Sequence, residues 1–183
     1  MPLLIIGGAR SGKSSLAERL AVESGRELVM IVTADASAHA GDQEMQARIA
    51  AHRRCRPQHW RTVEAPLHLA ATLREWAAPD RHVVVDCLTL WLCNLLLGDG
   101  PIDPAWTGPG PHFESERAAL LHALPSLPGE VTLVGNEVGH GVVSVGALNR
   151  LFVDENGRLN QAVAQRCERV FLVVAGCVST LKG

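Results

Sequence analysis

Tyrosine is absent and aromatic residues make up only 4% of the chain, so a base-stacking surface for single-stranded nucleic acid has no material to be built from. Positive charge is not in surplus either. Lys and Arg number 17 against 19 Asp and Glu, a formal net charge of -2, which argues against a broad electrostatic grip on nucleic acid. The five cysteines, Cys55, Cys87, Cys93, Cys167 and Cys177, contain no Cys-x-x-Cys pair. Their odd number and scattered spacing fit reduced thiols in a cytoplasm, used as small core residues, and not a disulfide framework. Long apolar runs are missing too. Leu88–Leu97 is short and interrupted by Asn94, and Pro2–Ile6 is too short for a secretory leader and runs straight into glycines. The expectation is a cytoplasmic protein with no membrane insertion.

What is present suits a globular enzyme. A chain of 183 residues is close to one domain's worth, here taken as residues 1–183, and can bury a continuous core. Short apolar runs at Leu3–Ile6, Leu28–Val32, His82–Asp86, Val131–Gly135 and Val170–Ala175 predict strands, the last of these ending the sheet. Helical spacing between them predicts helices over Ser14–Ser24, Gln43–Arg54, Pro66–Ala78, Thr89–Leu97, Glu114–Leu124 and Asn156–Arg166. Gly98–Pro111, dense in Gly and Pro, predicts a long surface connection. Strands alternating with helices imply an α/β fold: a P-loop-like three-layer sandwich, with a mostly parallel sheet between helices on both faces.

The strongest chemical signal is Gly7-Gly8-Ala9-Arg10-Ser11-Gly12-Lys13-Ser14, which fits Gly-x-x-x-x-Gly-Lys-Ser/Thr at every fixed position, after a strand and before a helix. Glycines let the backbone curl so that successive N–H groups face an anion, and the following helix offers its positive end to the same charge. Lys13 is placed to reach the outer phosphates of GTP or ATP, and the Ser14 hydroxyl to ligate Mg2+. Asp86, closing the run His82-Val83-Val84-Val85-Asp86, is the candidate second metal residue, directly or through water; a plain helix-capping role is the competing reading. No Asn-Lys-x-Asp guanine-reading motif is present, as a GTPase would require.

Further segments narrow the choice. Glu44-Met45-x-x-Arg48-Ile49-x-x-His52 is followed by Arg56-Pro57-x-x-Trp60-Arg61-Thr62-x-Glu64, then Thr89-x-Trp91-x-x-Asn94-Leu95-Leu96, then Asn136-Glu137-Val138-Gly139-x-Gly141-Val142-Val143, and finally Asn160-Gln161 and Leu172-Val173-Val174-Ala175-Gly176. In this order, with the phosphate loop, they resemble the bifunctional adenosylcobinamide kinase / adenosylcobinamide-phosphate guanylyltransferase family of cobalamin biosynthesis, from about Leu4 to Lys182. One departure is Ser144, where the family usually continues with Pro.

The resemblance implies two reactions. The aminopropanol hydroxyl of adenosylcobinamide is phosphorylated by GTP or ATP, and GMP from GTP is then joined to that phosphate through a histidine, by motif position His52. It also implies nucleotide contacts from Thr33, Ala34 and Asp35, from Arg53, Arg54, Cys55 and Arg56 just past the histidine, and from Glu64 and Asp86, in a homo-oligomer that relatives form as a trimer. Read from spacing alone, His52 would be an ordinary histidine sharing an apolar face with Met45 and Ile49. Beside Arg48, Arg53, Arg54 and Arg56 it is chemically suited to attack phosphorus, since nearby positive charge keeps imidazole neutral and nucleophilic. His39, His59, His68, His82, His112, His122 and His140 match no motif. Two alternatives stand beside this reading: a monofunctional P-loop kinase of another small molecule, and a non-catalytic GTP-binding module.

Overall fold

The computed structural model describes residues 2–34, 60–97, 109–141 and 146–183. The strands are β1 (Pro2–Gly7), β2 (Glu27–Val32), β3 (Arg61–Glu64), β4 (Arg81–Asp86), β5 (Glu130–Asn136), β6 (Arg169–Val174) and β7 (Cys177–Lys182). The helices are α1 (Lys13–Glu23), α2 (Leu69–Trp76), α3 (Leu88–Leu97), α4 (Phe113–Ala123) and α5 (Ala147–Arg166), with a short 3-10 turn at Leu124–Ser126. The seven strands form one sheet in the order β3-β2-β4-β5-β1-β6-β7, parallel throughout except for the antiparallel β6–β7 pair.

Because neighbouring side chains on a strand point to opposite faces, each apolar strand feeds two cores. Leu4, Val29, Ile31, Val83, Val85, Val131 and Leu133 face one way, onto Leu69 and Leu73 of α2, Trp91, Leu92 and Leu95 of α3, Leu120 of α4, and Leu159 and Val163 of α5. Leu3, Ile5, Met30, Val84, Val134 and Val173 face the other way, onto Leu16, Ala17 and Ala21 of α1 and onto Trp60. Helices therefore cover both faces, as a doubly apolar strand pattern requires.

Three expectations are corrected. Val170–Ala175 is not the last strand: β6 stops at Val174, and Ala175 (φ 51°) with Gly176 (φ 79°) turn the chain back into β7. Two successive positive φ values make the tight reversal whose twist suits a hairpin. A strand was also missed at Arg61–Glu64, which sits at the sheet edge beside β2 and is mostly exposed, so it carries no apolar run to read. The Asn156–Arg166 helix begins at Ala147, nine positions earlier, because its buried stripe includes Glu155, Asn156 and Asn160, polar residues that break the hydrophobic period. Glu155 is matched there by Arg117, 2.8 Å away, and by Arg158. The predicted helix Gln43–Arg54 lies outside the described residues, as does most of Gly98–Pro111.

At the amino ends of the strands, His82 is 3% exposed. Its Nε2 lies 2.8 Å from the Thr132 hydroxyl, while Nδ1 is 3.3 Å from a Glu130 carboxylate oxygen but outside hydrogen-bonding alignment. Burial lowers its pKa to about 4, against the weaker upward pull of Glu130. The unfolded chain therefore takes up a proton near the ordinary value of 6.5 that the folded chain refuses until about 4. Stability from this site is complete above pH 6.5 and falls as acid is added through that window, by up to about 3 kcal/mol. Chemical-denaturation midpoints of the wild type and His82→Gln between pH 7.5 and 4.5 check this: the wild type should lose more stability than the variant, and parallel curves would refute it.

Candidate functional site

β1 delivers Gly7 to the carboxyl edge of the sheet, and the chain then curls through residues 8–12 into α1. Two residues of the loop take left-handed backbone, Arg10 (φ 56°) and Gly12 (φ 102°). Gly7 has to be glycine for a different reason. A Cβ there would meet the Val173 carbonyl oxygen and lie 2.7 Å from the Ser11 hydroxyl oxygen. The Ser11 carbonyl accepts the Gly176 amide at 2.8 Å, so the β6–β7 hairpin turn braces the loop from behind. Gly8, Ala9 and Arg10 form an exposed crest above buried Ser11 and Lys13.

Inside the curl, the Ser11 hydroxyl is buried without a hydrogen-bond partner, and the Lys13 ammonium donates to the Gly8 carbonyl at 3.0 Å. Burial lowers the Lys13 pKa, and the neighbours that pull against that fall are Cys87 and Asp86. Cys87 cannot supply one at neutral pH, because burial pushes its own thiol up to about 11. At neutral pH Asp86 is therefore the neighbouring charge that opposes the fall. A buried cation, an orphaned hydroxyl and a glycine curl at a helix start together make a receptor for a phosphate chain. Among the described residues no cluster of three or more His, Cys, Asp or Glu could hold a metal by itself. A metal carried by phosphates needs fewer protein ligands, and Ser14, opening α1, and Asp86 are of the right chemistry.

The other expected contacts fall on the same rim. In the register of β3, β2 and β4, Val32 pairs with Glu64 on one side and Asp86 on the other. Exposed Glu64, half-buried Ala34 and half-buried Asp86 thus stand along one edge. Thr33 follows Val32 directly. It is fully buried, and its hydroxyl donates to the Cys87 carbonyl at 2.8 Å and accepts the Cys87 amide at 3.1 Å. Its side chain fixes the turn after Asp86. His52, Asp35, Arg53, Arg54, Cys55 and Arg56 lie outside the described residues.

Several residues quoted for the resemblance prove to be braces, which sequence reasoning had not assigned. The Asn94 amide donates to the Thr33 carbonyl at 2.8 Å and the Pro66 carbonyl at 3.0 Å, tying α3 to the ends of β2 and β3. The Thr89 hydroxyl accepts the Asn136 amide at 2.6 Å, and Asn156 and Asn160 donate to the Asn136 carbonyl at 2.9 and 3.3 Å. The Glu137 amide then donates to the Gly7 carbonyl at 3.1 Å, linking that network to the phosphate loop. A polar residue inside an apolar helix, such as Asn94 in α3, was the available signal.

Comparison with known proteins agrees with this geometry. A model of the family described as cobinamide kinase / cobinamide phosphate guanyltransferase matches residues 3–181. The chain belongs to that family. It is 57% identical over 180 residues to the bifunctional adenosylcobalamin biosynthesis protein CobP of Pseudomonas aeruginosa, covering 98% of this chain and 96% of that one. It is 39% identical to CobU of Escherichia coli, covering 96% and 97%. Among solved structures, a prototypical ATPase from the type III secretion system of pathogenic bacteria superposes with a TM-score of 0.51 at 13% identity, covering 98% of this chain and 57% of that one. That likeness speaks for the fold alone. No helix among the described residues of this family member is long and apolar enough to cross a membrane.

The two neighbouring glycines of the loop should separate on mutation. Gly7→Ala should destabilise the fold by about 1–3 kcal/mol, since backbone and loop must give way to its methyl group. Gly8→Ala, whose added methyl group meets nothing within 4 Å, should change stability by no more than about 0.5 kcal/mol. Thermal melts of both variants measure this, and equal losses would contradict the packing described.

Proposed function

We propose that this protein is a bifunctional cobinamide kinase and cobinamide phosphate guanylyltransferase that assembles the nucleotide loop of cobalamin in the cytoplasm. The observation that carries the reading is the family match across residues 3–181. It falls on a chain whose phosphate loop, strand-end acid and rim residues come together on one edge of the sheet.

In the first reaction the phosphate loop holds the triphosphate of GTP or ATP. Lys13 leaves the Gly8 carbonyl for the outer phosphates. The aminopropanol hydroxyl of adenosylcobinamide attacks the γ-phosphorus, and the nucleoside diphosphate departs as the alcohol loses its proton. Ser14 and Asp86 would hold Mg2+, which supplies charge neutralisation on the phosphates when bound. In the second reaction the His52 imidazole attacks the α-phosphorus of GTP and pyrophosphate leaves. The phosphate oxygen of cobinamide phosphate then attacks the same phosphorus, displacing the histidine and giving adenosyl-GDP-cobinamide. Dividing the transfer this way replaces one difficult displacement with two easier ones. Glu64, Thr33, Ala34 and Asp35 are the candidates for guanosine recognition, and Arg53, Arg54, Cys55 and Arg56 are the candidates for gripping phosphate. The assembly is a homo-oligomer, a trimer by family resemblance.

Incubation with GTP labelled at the α- or γ-phosphate tests the reading. The α-label should stay on the protein in an acid-labile form and disappear in His52→Ala, while γ-phosphoryl transfer to cobinamide survives in that variant. Lys13→Met should lower phosphoryl transfer by about 100-fold or more. Absence of any protein-bound guanylate from the wild type would refute the second activity, leaving a kinase alone.

A further inference from the structure

Asn136 opens one of the segments that carry the family resemblance, yet neither reaction proposed above uses its side chain. Its place is set by the sheet. β5 lies between β4, which ends at Asp86, and β1, which ends at Gly7. Asp86 pairs with Val134, and Asn136, two residues further along the same strand, pairs with Gly7. Neighbouring strands run about 4.8 Å apart, so Asn136 stands one strand from the phosphate loop and one strand from the strand-end acid.

The direction of its side chain follows from the pleat, which sends successive residues to opposite faces. Val84, Val134 and Ile5 pack on the α1 face of the sheet. Asp86, Asn136 and Gly7, each two residues further on, share that face. Gly135 confirms the alternation, since a Cβ there would point the other way, 3.2 Å from the Asn160 Oδ1 of α5 and 3.6 Å from the Ile6 side chain. The phosphate loop leaves Gly7 and enters α1, which opens with buried Lys13. The Asn136 carboxamide is therefore aimed into the space between Asp86 and the loop.

The backbone of Asn136 is held firmly, and its carboxamide is not. Its amide donates to the Thr89 hydroxyl at 2.6 Å, and its carbonyl accepts the Asn156 and Asn160 amides at 2.9 and 3.3 Å. The next amide, that of Glu137, donates to the Gly7 carbonyl at 3.1 Å. The side chain is half-buried, and its carboxamide makes no hydrogen bond to any described residue. Two N–H donors on so fixed a backbone are a donor group set in place before any ligand arrives.

We propose that Asn136 is a catalytic residue of the phosphoryl transfer: its carboxamide N–H donates to an oxygen of the γ-phosphoryl group as that group leaves the β-phosphate for the acceptor hydroxyl. The inference rests on the kinase reading above. During transfer, charge is spread over the three equatorial oxygens of the γ-phosphoryl group. Lys13 and the loop amides approach those oxygens from one side, and Asn136 approaches from β5. A neutral donor suits this position, because a cation would be repelled by Lys13 and a carboxylate would repel the phosphate.

The brace uses only backbone groups of Asn136, so changing the side chain separates function from structure. Asn136→Ala should melt within about 3 °C of the wild type. It should bind GTP within about threefold of the wild type in equilibrium dialysis, while kcat for GTP-dependent phosphorylation of cobinamide falls about 100-fold. Asn136→Asp keeps the shape but exchanges the donors for negative charge. It should fall at least as far, and it serves if the alanine variant does not fold. A folded variant with kcat within about threefold of the wild type overturns the proposal, as does a loss carried wholly by KM for GTP. Failure of both variants to fold would make the side chain structural and overturns it too. A wild type that moves no γ-phosphate to cobinamide overturns the kinase reading instead. Asn136 is then judged on the slow release of inorganic phosphate from GTP, where a rate equal to wild type in Asn136→Ala overturns its role. A wild type that neither transfers nor hydrolyses the γ-phosphate overturns both.

Discussion

The bond from the Gly176 amide to the Ser11 carbonyl is the contact on which the nucleotide site depends. A phosphate loop must hold its amides inward before any anion arrives, because ordering them at the moment of binding would consume the binding energy. Here the curl is fixed from outside. The hairpin turn presses Gly176 to within 3.4 Å of where a Gly12 Cβ would stand, and the Val173 carbonyl lies where a Gly7 Cβ would stand. The Val173 carbonyl leaves no room for a side chain at Gly7, Gly12 is glycine by its left-handed φ of 102°, and both approaches come from β6 and the turn after it. The loop motif is local in sequence, but its shape is enforced by β6 and the turn after it, some 160 positions away.

A second layer of constraint lies in buried polar side chains. Asn94, Thr89, Asn156 and Thr33 each bond backbone groups at strand ends, and each is half-buried or fully buried. A buried amide or hydroxyl whose bonds are satisfied adds little net stability, but a displaced one leaves an unpaired group at a cost of about 1–3 kcal/mol. Such residues define the positions of loops more sharply than apolar packing does. Together they hold the carboxyl edges of β2, β3, β4 and β5 in register around Gly7.

Legibility in the sequence followed how local and how apolar each feature is. The phosphate loop could be read because its glycines, lysine and serine are contiguous and its flanking strand and helix are adjacent. The strands β1, β2, β4 and β5 could be read from their buried Val, Leu and Ile runs. β3 could not, because at an edge its residues Arg61, Thr62 and Glu64 face solvent. β7 could not, because every residue in it is exposed and its turn is Ala-Gly, with Ala175 in a left-handed conformation that favours other residues. The first half of α5 was hidden because the buried positions hold Glu155, Asn156 and Asn160. His52 was singled out only through resemblance, as its spacing with Met45 and Ile49 describes an apolar face just as well.

Burial sets how strongly Lys13 can respond to a neighbouring negative charge. The ammonium is buried, and burial opposes its charge. The neighbouring Cys87 stays protonated because it is buried as well, so the compensation at neutral pH comes from Asp86 and from the Gly8 carbonyl. One carboxylate and one carbonyl are modest partners for a cation with so little access to water. An arriving phosphate chain replaces the carbonyl with formal negative charge at short range, in surroundings where water screens little. The gain is therefore larger than the same pair would give at an exposed surface, and it scales with the charge delivered. The same burial that leaves Lys13 modestly compensated is what would make its pairing with a phosphate strong.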